Sequence, residues 1–127
     1  MEFHHIGIAC ADIAQMKLYL NKIYDVTSVS EEVYDELQKA TLCMMTLKDG
    51  TKMELVKGEI VDKLVKRHQF LYHVCYSTRD IGRKIKELED LGAKMISEPK
   101  AAKLFGGKQV AFLMTQLGIV ELLESWE

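Results

Sequence analysis

The sequence predicts an α+β protein made of two tandem βαβββ modules, and three observations lead there. Residues 5–13, HIGIACADI, align with residues 73–81, HVCYSTRDI, so that a histidine opens an apolar run and an Asp-Ile pair follows at the same distance in both. Each Asp-Ile pair then opens a stretch with helical spacing, and each such stretch is followed by three segments with strand character. The modules fall at about 1–57 and 71–127, within a single domain.

The elements follow in order. The first histidine run is a strand, and Asp12 is a natural N-cap for the helix whose apolar stripe is Ile13, Met16, Tyr19, Leu20 and Ile23. Strands are expected at 26–33, 40–47 and 51–56, the last two joined by a turn at Lys48-Asp49-Gly50. Ile60, Val61, Leu64 and Val65 have the spacing of a short linker helix. In the second module the strand at His73 leads to a helix capped by Asp80, with Ile81, Ile85, Leu88 and Leu91 as its stripe and Gly92 placed to end it in a left-handed turn. Strands at 93–97, 109–114 and 119–123 close the module, the last two joined at Gln116-Leu117-Gly118.

Composition narrows the partners. With 17 basic and 19 acidic residues interspersed, the chain has no basic footprint for nucleic acid, so a small-molecule substrate is expected instead. The apolar runs are far shorter than the ~20 residues of a membrane span, and no basic-then-apolar leader opens the chain, so no membrane partner and a cytoplasmic location are expected. Cys10, Cys43 and Cys75, odd in number and without CxxC spacing, read as small core residues, although Cys75 shares a strand side with His73.

The last strand of each module holds a carboxylate among apolar neighbours: Glu54 in MELV and Glu121 in VELLE, each at nearly the same distance from its module's histidine. A carboxylate buried on such a strand is costly unless something positive compensates it. Alternation places His5 with Gly7 and Ala9, and His73 with Cys75 and Ser77, so small side chains leave room beside both histidines. His4 faces the other way. His5, Glu54, His73 and Glu121 therefore form a candidate set for one divalent metal ion, suited to Zn, Ni, Co, Mn or Fe, with about two coordination positions left over.

HIGIACADI, HVCYSTRDI, MELV, GGKQVAFL and IVELLE together resemble the vicinal oxygen chelate superfamily, the glyoxalase and bleomycin-resistance group. The resemblance implies paired βαβββ modules forming a curled mixed sheet, the glyoxalase fold, with His5, Glu54, His73 and Glu121 as metal ligands. It also implies a homodimer, with the modules closing on each other within a chain or exchanged between chains. The four-residue set resembles that of glyoxalase I (lactoylglutathione lyase), which acts on a hemithioacetal. HHIGIA and GGKQVAFL look closer to methylmalonyl-CoA epimerases, which act beside a thioester. Where bacterial glyoxalase I enzymes carry an arginine and an asparagine for glutathione, this chain has Ala9 and Gly58. Where the epimerases often carry glutamine, it has Glu54.

Both likenesses imply a lyase or isomerase that moves a proton through an enediolate or enolate, with Glu121 and Glu54 as the candidate catalytic bases. Glu36, in the YDELQ loop, is an alternative base, with a solvated loop carboxylate as the simpler reading. EPKAAKLFGGK, residues 98–108, reads as a lid or mouth in which Lys100, Lys103 and Lys108 hold anionic parts of a substrate or are simply solvated. A non-catalytic drug-binding member is the contrasting class, against which the intact ligand set argues. An extradiol-type dioxygenase, with two histidines and one carboxylate, would be crowded by Glu54.

Overall fold

The computed structural model describes residues 1–125. Among them are nine strands in mixed pairing, three α-helices and a short 3-10 turn. The chain divides into two compact units, one of His5–Tyr72 and one of Met1–His4 with the chain from His73 onward.

In the first unit, β1 (Glu2–Ala9, contributing from His5), α1 (Ile13–Ile23), β2 (Val26–Val29), β3 (Val33–Asp35), β4 (Ala40–Leu47), β5 (Lys52–Lys57) and α2 (Glu59–Lys66) follow one another. The strand order is β2-β4-β5-β1, with β3 also on β4; β1 and β5 are parallel and the other pairs antiparallel. Alternation decides the faces. Ile8, Cys43, Met45, Leu47, Met53 and Leu55 turn to one side and pack with Ile13 and Leu20 of α1. The Gln15 N–H donates to Asp12 Oδ1 at 3.0 Å, the expected N-cap. At the turn after β4, Gly50 has φ 91° and the Thr51 N–H donates to Asp49 Oδ1 at 2.9 Å.

The strand expected at 26–33 is broken in two. Ser30 exchanges bonds with the Met44 backbone, accepting its N–H on the side-chain Oγ at 2.8 Å and donating its own N–H to the Met44 carbonyl at 2.8 Å. A hydroxyl has taken a position in the ladder that a backbone carbonyl would hold, and 30–32 leave the strand. The linker helix expected at 60–65 is α2.

In the second unit, β6 (Leu71–Thr78, contributing from His73), α3 (Ile81–Asp90), β7 (Lys94–Ala101), β8 (Gln109–Thr115) and β9 (Gly118–Glu124) repeat the pattern, in the order β6-β9-β8-β7. β6 and β9 are parallel, and β9 with β8 and β8 with β7 antiparallel. Ala111, Leu113, Val120 and Leu122 pack on Ile81 and Ile85 of α3, while Cys75, Val110, Leu123 and Ala102 form a smaller apolar cluster on the other face, with Phe105 against it. The end of α3 is the expected one: Gly92 has φ 102°, its N–H donates to the Glu89 carbonyl at 3.0 Å, and the Ala93 N–H reaches back to Leu88 at 2.9 Å. These two bonds satisfy carbonyls that a helix end otherwise leaves bare.

The start of α3 has two acceptors, Asp80 Oδ1 for the Arg83 N–H and Glu124 Oε2 for the Ile81 N–H, both at 3.0 Å. Asp80→Ala is therefore expected to cost about 1 kcal/mol in urea unfolding, and a cost near zero would mean that the Glu124 carboxylate caps the helix alone.

β7 runs to Ala101, beyond the strand expected at 93–97, so the first part of the expected lid is strand. Pro99 does not stop it because β7 pairs with β8 alone and its register shifts between Ser97 and Lys100, where a missing N–H breaks no ladder bond. The rest of 98–108 is a tight connection. The Ala102 N–H donates to the Lys108 carbonyl at 2.9 Å, and Gly106 (φ 65°) and Gly107 (φ 87°) turn the chain in conformations that favour glycine.

Candidate metal centre

Each unit builds a histidine–glutamate pair, and the two are constructed alike. In the first unit Glu54 on β5 stands opposite Gly7 of β1 on one side and Met44 of β4 on the other. Residues paired across strands share a face, so His5, two residues before Gly7, lies on the Glu54 side. Its Nε2 is 3.6 Å from Glu54 Oε1, with His5 fully buried and Glu54 2% exposed. In the second unit Glu121 on β9 stands opposite Cys75 of β6 and Phe112 of β8. His73 Nε2 is 3.0 Å from Glu121 Oε1, with 5% and 0% exposure, and the Phe112 ring meets the imidazole edge-on at 5.2 Å.

The residue beside each glutamate explains the room. Gly7 has no side chain and Cys75 a small one, so neither crowds the pair next to it. Ala9 is fully buried. Both carboxylates sit among apolar residues, where an imidazole compensates them only when protonated and a divalent cation does so fully. Imidazole nitrogens and carboxylate oxygens are donors that can hold such an ion. The residues fit the group.

The remaining expected site residues lie elsewhere. Lys100 is half-buried in β7, opposite Val110. Lys103 and Lys108 are exposed, on the 3-10 turn and just before β8. Glu36 is exposed in the turn after β3, and its neighbour Asp35 holds that turn by accepting the Leu37 and Gln38 N–H groups at 3.0 and 3.2 Å. His4, half-buried, packs edge-on against Phe105 at 5.4 Å. The three cysteines are buried and none forms a disulfide among the described residues, and burial pushes the Cys10 thiol up to about 11, which keeps it protonated at neutral pH.

Residues 4–112 match the family model described as the Glyoxalase/Bleomycin resistance protein/Dioxygenase superfamily. The chain belongs to that superfamily. Superfamily membership and solved structures of similar fold agree. Methylmalonyl-CoA epimerase from Mycobacterium tuberculosis superposes with a TM-score of 0.79 at 15% identity, over 96% of this chain and 86% of that one. Methylmalonyl-CoA epimerase from Streptomyces coelicolor, in complex with 2-nitronate-propionyl-CoA, gives 0.73 at 22%, over 97% and 93%. A hypothetical protein from Bacillus halodurans gives 0.73 at 22%, over 99% and 95%. At these identities the likeness establishes a glyoxalase-like fold. No curated protein matches the sequence. Among the described residues no helix is long and apolar enough to cross a membrane.

Proposed function

We propose that the protein is a metal-dependent isomerase of the methylmalonyl-CoA epimerase type, which moves the proton on the carbon next to a thioester carbonyl. His5, Glu54, His73 and Glu121 are its ligands for one divalent ion. The observation that carries this reading is the repeated pair: two buried His–Glu sets in the same register of two units, in a superfamily that includes such epimerases. A bound divalent cation would polarise the thioester oxygen and so acidify the neighbouring C–H.

The chain's own residues do the rest. One of the two carboxylates, Glu121 or Glu54, accepts the proton from carbon and the other delivers a proton to the opposite face of the planar enolate, so the configuration inverts, the atoms balance and no further reactant is needed. The apolar walls, Met44 beside Glu54 and Phe112 beside Glu121, shield the carboxylates from bulk water. The protein is expected to work as a homodimer in the cytoplasm.

A glutathione hemithioacetal is disfavoured by the backbone at Gly58. A Cβ there would lie 2.8 Å from the Lys39 carbonyl oxygen, so the asparagine that holds glutathione in glyoxalase I has no space.

The test is to load the purified protein with Zn, Ni, Co, Mn or Fe, count bound ions, and follow loss of the acidic C–H in deuterated water. Exchange with methylmalonyl-CoA in preference to a hemithioacetal is expected. Metal-loaded protein that exchanges neither overturns the proposal.

A further inference from the structure

The first unit has an open groove on the side of its sheet away from the His5–Glu54 pair. His5 and Glu54 share one face of β1 and β5, and alternation turns Ile6, Ile8 and Met53 to the other, where α1 lies. Between α1, those strands and the Phe70–Leu71 segment is a cavity of about 660 Å³, within the range of small-molecule sites. The Phe70 wall is fixed to β1, because the Ala9 N–H donates to the Phe70 carbonyl at 2.8 Å.

The helix side of the groove is a single stripe. Asp12, Met16, Tyr19 and Ile23 line it at alternating spacings of four and three, and Tyr24 continues it just past the helix end. At the rise of an α-helix, Asp12 and Tyr24 are about 18 Å apart along the axis. Tyr19, Ile23, Tyr24 and Phe70 are exposed, and a contiguous apolar patch left open to water marks a binding surface.

Charge decides what kind of ligand fits. Among the described residues, Asp12 is the only charged side chain that lines the groove. Its Oδ1 accepts the Gln15 N–H, but no ion pair among the described residues takes up its charge. The positive end of α1 amounts to about half a unit charge, so the full charge of the carboxylate outweighs it. That end of the groove attracts cations and repels a fatty acid. The repeat supplies a comparison, because the second unit has a groove in the corresponding place beside α3. It measures about 400 Å³, has Gly92 in the place of Tyr24, and no charged side chain lines it among the described residues. The carboxylate and the long aromatic trough therefore belong to the first groove and not to the module as such.

We propose that this groove binds a lipophilic cation, an ammonium amphiphile whose head lies at Asp12 and whose apolar chain runs along α1 past Tyr19 to Tyr24. A trough of this length with one negative charge at one end matches a molecule with one positive charge at one end. The site is separate from the His–Glu centre, since the strands turn their other face to it.

Calorimetric titration with decyltrimethylammonium, decanol and decanoate, each below its micelle concentration, tests the site. The parent is expected to bind the cation most tightly and the anion least, with about 10-fold between them, the value of an exposed ion pair counted once as attraction and once as repulsion. Asp12→Asn keeps a good N-cap and is expected to abolish that preference while binding decanol as the parent does. Tyr24→Ala is expected to weaken all three alike, by about 3- to 10-fold, through lost apolar contact. Added divalent metal should change none of these affinities, so the result stands apart from the exchange assay. Decanoate bound as tightly as the cation, a preference that survives Asp12→Asn, or unchanged binding in Tyr24→Ala overturns the site. So does failure to bind any probe together with a dimer that Tyr19→Glu splits in sedimentation, which would make the groove a contact between two copies of the chain.

Discussion

Glu121→Gln is expected to slow proton exchange by about 100- to 10,000-fold, the contribution of a well-placed general base, while making the metal-free protein more stable. The two effects have one origin. Glu121 is fully buried, 3.0 Å from the His73 imidazole and flanked by Phe112 and Cys75, so its charge is held away from water. Glutamine keeps the shape and removes the charge, sparing the metal-free fold a desolvation cost of about 1–3 kcal/mol. With metal present the order reverses, because the parent gains folding free energy from an ion that the variant binds poorly. The check is a pair of urea titrations, with chelator and with excess metal, beside the exchange assay. A carboxylate serving only the fold would make the variant less stable in both titrations, and that result, with exchange unchanged, would remove Glu121 from the site.

Much of the frame was legible because it depends on local rules that repeat. Asp12 and Asp80 each accept the N–H three residues on, as capping chemistry demands, and Gly92 takes the positive φ that lets a helix end. The pairing of Gly7 with Glu54 and of Cys75 with Glu121 follows from one period-two pattern applied twice. What was not legible depends on single departures from those rules. Ser30 ends β2 by inserting its hydroxyl into the ladder, and nothing in a Ser-Glu-Glu string distinguishes that from a continuing strand. Pro99 reads as punctuation, yet it sits inside β7 because an unpaired strand side and a register shift absorb it. Ser97 departs from the pattern for the same reason, since plain alternation puts it with Met95 and only the extra residue between them reverses its face. Of the three lysines of segment 98–108, only Lys100 lies on that strand, and the other two are on its exposed continuation.

The metal should bind at one ion per chain, and His5→Ala and His73→Ala should each weaken it at least about 100-fold, since even outer-shell partners of metal ligands are worth 10- to 100-fold. Stoichiometry is the sharper readout. Each unit has its own imidazole and carboxylate, 3.6 Å apart in one and 3.0 Å in the other, so two independent sites of two protein donors each are the alternative to one shared site of four. Two-donor sites would bind weakly and separately, giving two ions per chain, and His5→Ala would leave the His73 half untouched. A shared site couples them: either substitution then removes a quarter of the same donor set, and the double variant loses less than the sum of the two single losses once the remaining carboxylates no longer hold an ion. Calorimetric titration of the parent, both single variants and the double variant with Co or Zn decides between them. Two ions per chain, or strictly additive losses, would refute the shared centre on which the proposed chemistry depends.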